Sequence, residues 1–155
     1  MKTAQLKYQK GFTLIELLVV IGILAVLLAI TLIAINPARQ FSQANNTQRA
    51  SDVNAILNAV GQYAVDNNGD LTALGIPVAP AAAGNIGNAG INLCSALVPT
   101  YIAELPVDPQ TGSYTDCTTY DTQYEIVRSN TDSRVTVNAP DTEIPPAAAI
   151  INVTR

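Results

Sequence analysis

The apolar residues of the chain are concentrated in one uninterrupted stretch near its start. Residues 17–35 carry no charge and are almost all Leu, Ile, Val or Ala. A helix rising ~1.5 Å per residue over this length crosses the ~30 Å hydrocarbon core of a bilayer. The stretch is therefore predicted to be a membrane-spanning helix. Glu16 lies at its first turn, where a carboxylate in lipid needs a partner.

Two residues are predicted to weaken or interrupt the helix that contains this stretch. Pro37 lacks the N–H that would bond the carbonyl of Ile33, and it biases Asn36 away from helical dihedrals. We expect a kink or a helix junction there, at the membrane surface. Gly22, inside the span, is a second soft point because glycine costs up to ~1 kcal/mol relative to alanine in a helix.

After Pro37 the pattern becomes that of an amphipathic helix ending near Gly69, where glycine can take the left-handed cap. Arg49 and Asp52 are predicted to pair on its solvated face. A coiled-coil stalk is the alternative, but it needs a sustained heptad with charged flanks, which this Asn- and Gln-rich face lacks. The apolar stripe recurs at spacings of three and four, at Ala50, Val53, Ile56, Leu57, Val60, Tyr63 and Ala64.

The remaining residues, 70–155, predict a small domain rich in β-structure. The Gly-, Pro- and Ala-rich residues 70–93 favour a long irregular connection, with 84–90 as an exposed, flexible loop. Residues 94–105 are typical of a short helix or turn. Strands are predicted at 123–128 and 134–138 around a hairpin loop, an extended tail at 139–149, and a further strand at 150–154. An antiparallel sheet of two to four strands packed on the amphipathic helix, an α+β fold, buries both apolar faces.

Composition excludes several classes of function. The chain of 155 residues contains no histidine, so a Ser-His-Asp or Cys-His triad and a His-ligated metal are excluded. No other catalytic constellation, metal motif or cofactor motif is present, and a membrane-anchored enzyme is the alternative that we regard as unsupported. The arginines are scattered rather than clustered, so direct nucleic-acid binding is not expected.

The two cysteines, Cys94 and Cys117, are too few and too far apart for a zinc site. In an exported domain their even count favours a disulfide, which would close a 24-residue loop and stabilise the fold by roughly 3 kcal/mol. Two free thiols in a reducing environment are the alternative.

The residues before the apolar stretch have the features of a cleavable leader. They contain three lysines and no acid, which predicts that they stay in the cytoplasm while the C-terminal part lies outside. A secretory signal places its small cleavage residue after its apolar core, whereas Gly11 precedes the core here. Removing residues 1–11 would leave five cationic side chains against twelve acidic ones.

Gly11 followed by Phe-Thr-Leu-Ile-Glu resembles the leader and N-terminus of type IV prepilins and type II secretion pseudopilins. The resemblance implies cleavage between Gly11 and Phe12 by a membrane-embedded prepilin peptidase and N-methylation of Phe12. It also implies a pilin-like fold in four parts. These are a cleaved leader (1–11), a transmembrane assembly half of the long helix (12–36), its amphipathic half (37–69) and a β-rich head (70–155).

The resemblance gives Glu16 a role in filament assembly. The new ammonium of Phe12 keeps its positive charge on methylation, and pairing it with Glu16 of a neighbouring subunit would neutralise both and fix the axial register. One alternative is that Glu16 pairs with the Phe12 amine of its own chain, four residues back. Another is a signal anchor whose acid merely snorkels towards water.

A second segment, residues 105–114, carries a Leu-Pro-x-Asp-Pro pattern followed by Gly and Tyr that resembles the major pseudopilins and related pilins. It departs from that pattern at Gln110, where an aromatic is usual. Some pseudopilins hold calcium in this region, and Asp108, Asp116 and Asp121 would be the candidate ligands here. The alternative is that these acids cap local backbone N–H groups.

Together these features predict a structural subunit of a type IV pilus, held in the inner membrane by a single span until it is processed. The implied partners are further copies of the chain, the prepilin peptidase, and an assembly platform protein with its ATPase. A type II secretion pseudopilin, which would form a periplasmic pseudopilus, and a minor pilin or adhesin at a filament tip are the alternatives. The sequence leaves open whether the filament serves motility, adhesion, DNA uptake or secretion.

Overall fold

The structure is a computed structural model that describes residues 11–143 and 150–155. The chain forms two compact units, which divide between Gln40 and Phe41. The helices are α1 (Leu14–Ile35), α2 (Pro37–Asp66) and α3 (Cys94–Leu97), with a 3₁₀ turn at Thr72–Leu74. The strands are β1 (Gly84–Gly87), β2 (Ser113–Asp116), β3 (Thr119–Arg128), β4 (Val135–Ala139) and β5 (Ile151–Thr154).

The first helix, α1, is 22 residues long and apolar, with the length and composition of a membrane span. None of its residues is buried by the described residues, 11–143 and 150–155. The helix continues through Gly22 without interruption, so the weakening predicted there remains a prediction. It ends at Asn36, which takes the left-handed conformation with φ 45° and ψ 78°. Pro37 is then the first residue of α2, a position that needs no backbone N–H.

The C-terminal unit, Phe41–Arg155, has its own hydrophobic core and is called the head below. Its helical component is the later part of α2, which ends at Asp66 before Asn68 and Gly69, both with positive φ. The predicted apolar stripe contains four of the six buried residues of this helix, and Arg49 and Ala59 are the other two. The sheet supplies tyrosines and aliphatic residues opposite. The core members from these two sources are Val53, Ile56, Leu57, Ala59, Val60, Tyr120, Tyr124, Ile126, Val135, Val137 and Ala139.

The sheet is antiparallel and has five strands, in the order β1-β3-β4-β5, with β2 pairing with the start of β3. It is therefore larger than the two to four strands predicted. Alternate residues of β3 face the core, at Tyr120, Thr122, Tyr124 and Ile126. The strands predicted at 123–128, 134–138 and 150–154 correspond to β3, β4 and β5, which confirms the α+β, pilin-like fold.

The prediction of an exposed, flexible loop at residues 84–90 was wrong for its first half. Gly84–Gly87 is strand β1, paired with β3, and Ile86 is fully buried. The glycines allow close packing, because a Cβ at Gly84 would lie 2.7 Å from the side chain of Ile91. The glycine content that suggested flexibility therefore reflects the lack of space for side chains.

The two cysteines are joined in a disulfide, which ties the start of α3 to the turn between β2 and β3. Tyr120 lies beside this bridge. Its hydroxyl accepts a hydrogen bond from the Cys94 N–H at 3.2 Å and donates one to Asn92 Oδ1 at 2.9 Å. The predicted leader and extended tail lie largely outside the described residues, which omit 1–10 and 144–149.

Candidate functional site

The segment Gly11, Phe12 and Thr13 leads into α1 as non-helical backbone. Thr13 is the N-cap residue, with an extended ψ of 153°, and its Oγ1 accepts a hydrogen bond from the Glu16 N–H at 3.3 Å. Glu16 Oε2 in turn accepts from the Thr13 N–H at 2.8 Å and from the Thr13 hydroxyl at 2.7 Å. The two residues form a capping box, in which each side chain satisfies a backbone donor of the other.

This geometry places the candidate processing residues just outside the helix. The peptide bond between Gly11 and Phe12 precedes the N-cap, and the Phe12 side chain is 84 % exposed. In the unprocessed chain the partner of Glu16 is Thr13, because the Phe12 nitrogen is still part of a peptide bond. Pairing of Glu16 with a Phe12 ammonium, in its own chain or a neighbour's, is possible only after cleavage and remains a prediction.

Beyond the capping box, α1 presents apolar side chains in every direction. Its Leu, Ile and Val residues are each at least half exposed, and Ile33 reaches 84 %. A helix that is apolar on all sides is stable only in lipid or among other apolar helices. The helix therefore has an extended apolar surface that the described part of the chain leaves largely exposed.

The head contains a second polar cluster, centred on Arg49, which is fully buried. Its guanidinium makes a bidentate contact with Asp108, Nε to Oδ2 at 2.5 Å and Nη2 to Oδ1 at 3.1 Å. Nη1 donates to Glu143 Oε1 and to Asn46 Oδ1, each at 2.9 Å. The Asn45 side chain also donates to Glu143 Oε1, at 2.9 Å. The cluster connects α2 to the segment before β2 and to the chain before β5.

The prediction that Arg49 and Asp52 pair on a solvated face was wrong. Arg49 points into the head and Asp52 is partly buried, where it accepts a hydrogen bond from the Tyr124 hydroxyl at 2.8 Å. A signal for this was present, because Arg49 lies four residues before Val53 and so continues the apolar stripe by one turn. Charged side chains are usually exposed, and the prediction followed that rule, whereas this arginine is buried with charged partners.

The pKa values of the cluster follow from these contacts. Burial opposes ionisation of Asp108, but hydrogen bonds from Arg49 and from the Gln110 and Thr111 N–H groups outweigh it and hold its pKa below the ordinary 3.8. The Asn45 amide, together with Arg49, lowers the pKa of Glu143 below 4.5. Each carboxylate is therefore held in its charged form at neutral pH.

The three acids considered as calcium ligands each accept hydrogen bonds from other groups of the head. Asp108 is occupied by Arg49 and two backbone N–H groups, and Asp116 caps the N–H groups of Thr118 and Thr119. Asp121 accepts from the side chains of Asn85 and Gln123. Within residues 11–143 and 150–155, no three acids, cysteines or histidines are grouped to hold a metal ion.

Comparison with known proteins extends these observations. Residues 6–32 match the family model described as the prokaryotic N-terminal methylation motif. The chain is 32 % identical over 113 residues to the type II secretion system core protein G of Escherichia coli K12. The aligned region covers 68 % of this chain and 70 % of that protein. No solved structure matches. The chain belongs to the type IV prepilin and pseudopilin family.

Proposed function

We propose that the chain is a structural subunit of a type IV pilus, cut between Gly11 and Phe12 by a prepilin peptidase, methylated on Phe12 and polymerised through α1. The observation that carries this proposal is the contrast between the two parts of the molecule. The head buries its own core, whereas α1 has no buried residue. A head of this kind needs no second copy to fold, while the helix needs an apolar environment.

In the membrane, lipid covers α1; in the filament, the α1 helices of other subunits take its place. Apolar burial alone does not distinguish these environments, because lipid tails are as apolar as leucine. Close packing of helix against helix and the pairing of charges must therefore favour the filament. Each α1 helix is 22 residues long, ~33 Å, and therefore offers its neighbours an extended contact surface.

Cleavage supplies the charge for that pairing. The Phe12 ammonium is formed within a few residues of Glu16, and both are costly to hold uncompensated in lipid. The capping box shows that Glu16 is already an acceptor for its own chain. On assembly, the ammonium of a neighbouring Phe12 joins or replaces these donors and sets the axial register between subunits.

The chemistry in this account belongs to the partners. A prepilin peptidase processes the leader, and a platform protein with its ATPase extracts the subunit from the inner membrane, where α1 anchors it in a single pass with the head outside. The chain itself contributes packing surface and charge, without catalysis or a bound cofactor. The finished filament is an extracellular pilus.

A periplasmic pseudopilus of a type II secretion system is the second candidate. Two observations favour it: the similarity to a type II secretion core protein and the Leu-Pro-x-Asp-Pro segment that positions Asp108. Residue 110 departs from the pseudopilin pattern, since it is an exposed glutamine instead of an aromatic. A minor pilin at a filament tip would share the processing site and differ in abundance.

The test compares the native chain with Glu16→Gln and with the control Glu104→Gln, which alters an exposed acid of the head. We expect the native chain and the control to be the major component of fibres sheared from the cell surface. Glu16→Gln should be processed but missing from the fibres. If the native chain forms no surface fibres, and deleting it abolishes protein secretion, the filament is a pseudopilus instead. Full assembly of Glu16→Gln would contradict the proposed role of this acid.

A further inference from the structure

The capping box holds the peptide bond between Gly11 and Phe12 outside α1. We propose that Thr13 is a positioning residue for leader cleavage, which acts by ending the helix so that this bond stays in non-helical backbone accessible to the peptidase. The inference rests on the proposed function, because it takes this bond as the one that is cut.

The geometry shows where the helix stops and what stops it. Thr13 has φ −79° and ψ 153°, which are extended values, and Leu14 is the first helical residue. The Thr13 hydroxyl accepts from the Glu16 N–H, and the Glu16 carboxylate accepts from the Thr13 N–H. Two backbone donors at the helix start thus have side-chain acceptors and need no preceding turn of helix.

The membrane makes this cap important. Where water is scarce, the first N–H groups of a helix lack acceptors, and an added helical turn would supply them from the preceding carbonyls. The acceptors for Leu14, Ile15 and Glu16 would then be the carbonyls of residues 10, 11 and 12. The side-chain acceptors of the capping box remove part of this tendency to extend, so the helix stops after the cleavage site.

The position of the bond matters for its hydrolysis. A water oxygen must bond to the carbonyl carbon of Gly11 while the bond from that carbon to the Phe12 nitrogen breaks. The products are a Gly11 carboxylate and a Phe12 amine that takes up a proton. In a helix extended by one turn, the Gly11 carbonyl would accept from the Ile15 N–H and lie within the helical turn. In the non-helical form this carbonyl has no helical hydrogen bond and is accessible to the catalytic groups of the peptidase.

The experiment measures leader cleavage of the full-length chain, in detergent micelles, by a purified prepilin peptidase. Thr13→Val removes the hydroxyl but keeps the side-chain shape, and Thr31→Val is the matched control. Thr31 lies in the same helix and donates to the Leu28 carbonyl at 2.9 Å, far from the cleavage site. A cap is worth ~1 kcal/mol, a factor of about five in the ratio of non-helical to helical forms, so we expect Thr13→Val to lower kcat/KM by up to about fivefold. Thr31→Val should match the native chain.

The lower kcat/KM should appear as a higher KM, because only substrate molecules whose Gly11–Phe12 bond lies outside the helix bind productively. Thr13→Ser retains the cap and should be cut nearly as well as the native chain. The double variant Thr13→Val with Leu14→Pro tests the mechanism. Proline at the first helical position disfavours a helical conformation at residue 13, and it does so without the threonine hydroxyl. We therefore expect it to restore cleavage.

Each outcome has a clear meaning. Native-like cleavage of Thr13→Val would overturn the inference while leaving the proposed function intact. Failure of the proline variant to restore cleavage would also overturn it, because ending the helix without the hydroxyl would then not be sufficient for cleavage. If the native chain itself is not cut at this bond, the proposed function fails first, and the inference fails with it.

Discussion

Arg49 is fully buried, and its guanidinium meets acceptors from three parts of the head. A buried charge is tolerated when it is paired and its remaining donors are satisfied. Asp108 also accepts from the Gln110 and Thr111 N–H groups at 2.9 and 3.1 Å, so the acid has several donors of its own. Removing the arginine would leave Asp108 buried with its charge uncompensated.

The first prediction compares Arg49→Met with Arg134→Met. Breaking a buried pair costs ~3–5 kcal/mol, and we expect that loss in the free energy of unfolding of the head for Arg49→Met. Arg134 pairs with Asp132 at 3.3 Å on the surface, with both side chains at least half exposed. Its substitution should change stability by no more than ~0.5 kcal/mol.

Near-ultraviolet circular dichroism of the full-length protein in detergent reports on the head, which contains five of the six tyrosines. Denaturant titration followed by this signal would give both values. Equal effects of the two arginine substitutions would contradict the assignment of the buried cluster as the polar centre of the head.

The second prediction concerns acid stability. The pKa of Asp108 lies below 3.8 in the folded head, so its contribution is present above that pH and lost as pH falls through the folded value. Glu143, with its pKa below 4.5, acts in the same direction. Asp52 opposes them, because burial raises its pKa and its contribution is lost as pH rises through the folded value.

We therefore expect the melting temperature of the native chain to change little between pH 6 and about pH 5, and to fall as the pH is lowered further through 4.5 and 3.8. Asp108→Asn should already be less stable at pH 6 and should show a weaker dependence on acid. Glu104→Gln, at an exposed position, should keep the native dependence. A native-like acid profile for Asp108→Asn would show that this carboxylate does not control the transition.

Among the helices and strands, those with a periodic pattern of apolar residues were predicted correctly. The apolar stripe of α2 and the alternating strands β3 and β4 were predicted because burial of one face imposes a period on the sequence. Strand β1 was missed because its residues, Gly-Asn-Ile-Gly, show no such period. It is a strand because β3 offers an edge and the glycines fit the space beside Ile91.

The candidate site divides in the same way. The candidate processing segment from Gly11 to Glu16 was predicted from sequence because cleavage motifs are local. Its capping box was not predicted, although a Thr followed three residues later by Glu is the local signal for one. The cluster at Arg49 was not predictable from Asp108 or Glu143, which are 59 and 94 residues away along the chain. Only the tertiary fold brings those charges together.

The third prediction tests the close approach that precedes β2. A Cβ at Gly112 would lie 2.5 Å from the Asp108 nitrogen and 2.9 Å from its carbonyl oxygen, both backbone atoms. Gly112→Ala should therefore destabilise the head by ~1–3 kcal/mol, because the turn that carries Asp108 must move. The substitution would also disturb the Gly112 N–H bond to the Asp108 carbonyl, at 3.1 Å.

The matched control is Gly61→Ala, at an exposed position inside α2 where a Cβ would meet no atom within 4 Å. Alanine there should stabilise the helix by ~0.5–1 kcal/mol. Chemical denaturation of the two variants should thus give shifts of opposite sign. Shifts of the same sign would contradict the packing described around Gly112.

At the scale of the whole molecule, the two units have different requirements. The head closes its core with a five-stranded sheet, a helix and a disulfide, and it holds its buried charges in pairs. In the apolar helix α1, no residue is buried by the part of the chain that the structure describes. Removal of the leader would take away every lysine and create one new cation at Phe12, next to the acid at Glu16. In the proposed filament, processing would therefore change the charge at the end of the helix that packs against other subunits.

In the proposed function, cleavage creates the N-terminus at Phe12, and intact-mass and N-terminal analysis test this directly. The full-length protein would be produced with and without a prepilin peptidase. We predict that the peptidase yields a chain that begins at Phe12 and carries one added methyl group. A chain that retains residues 1–11, or one cut beyond Ile35, would contradict the account and would leave an ordinary anchored or secreted domain.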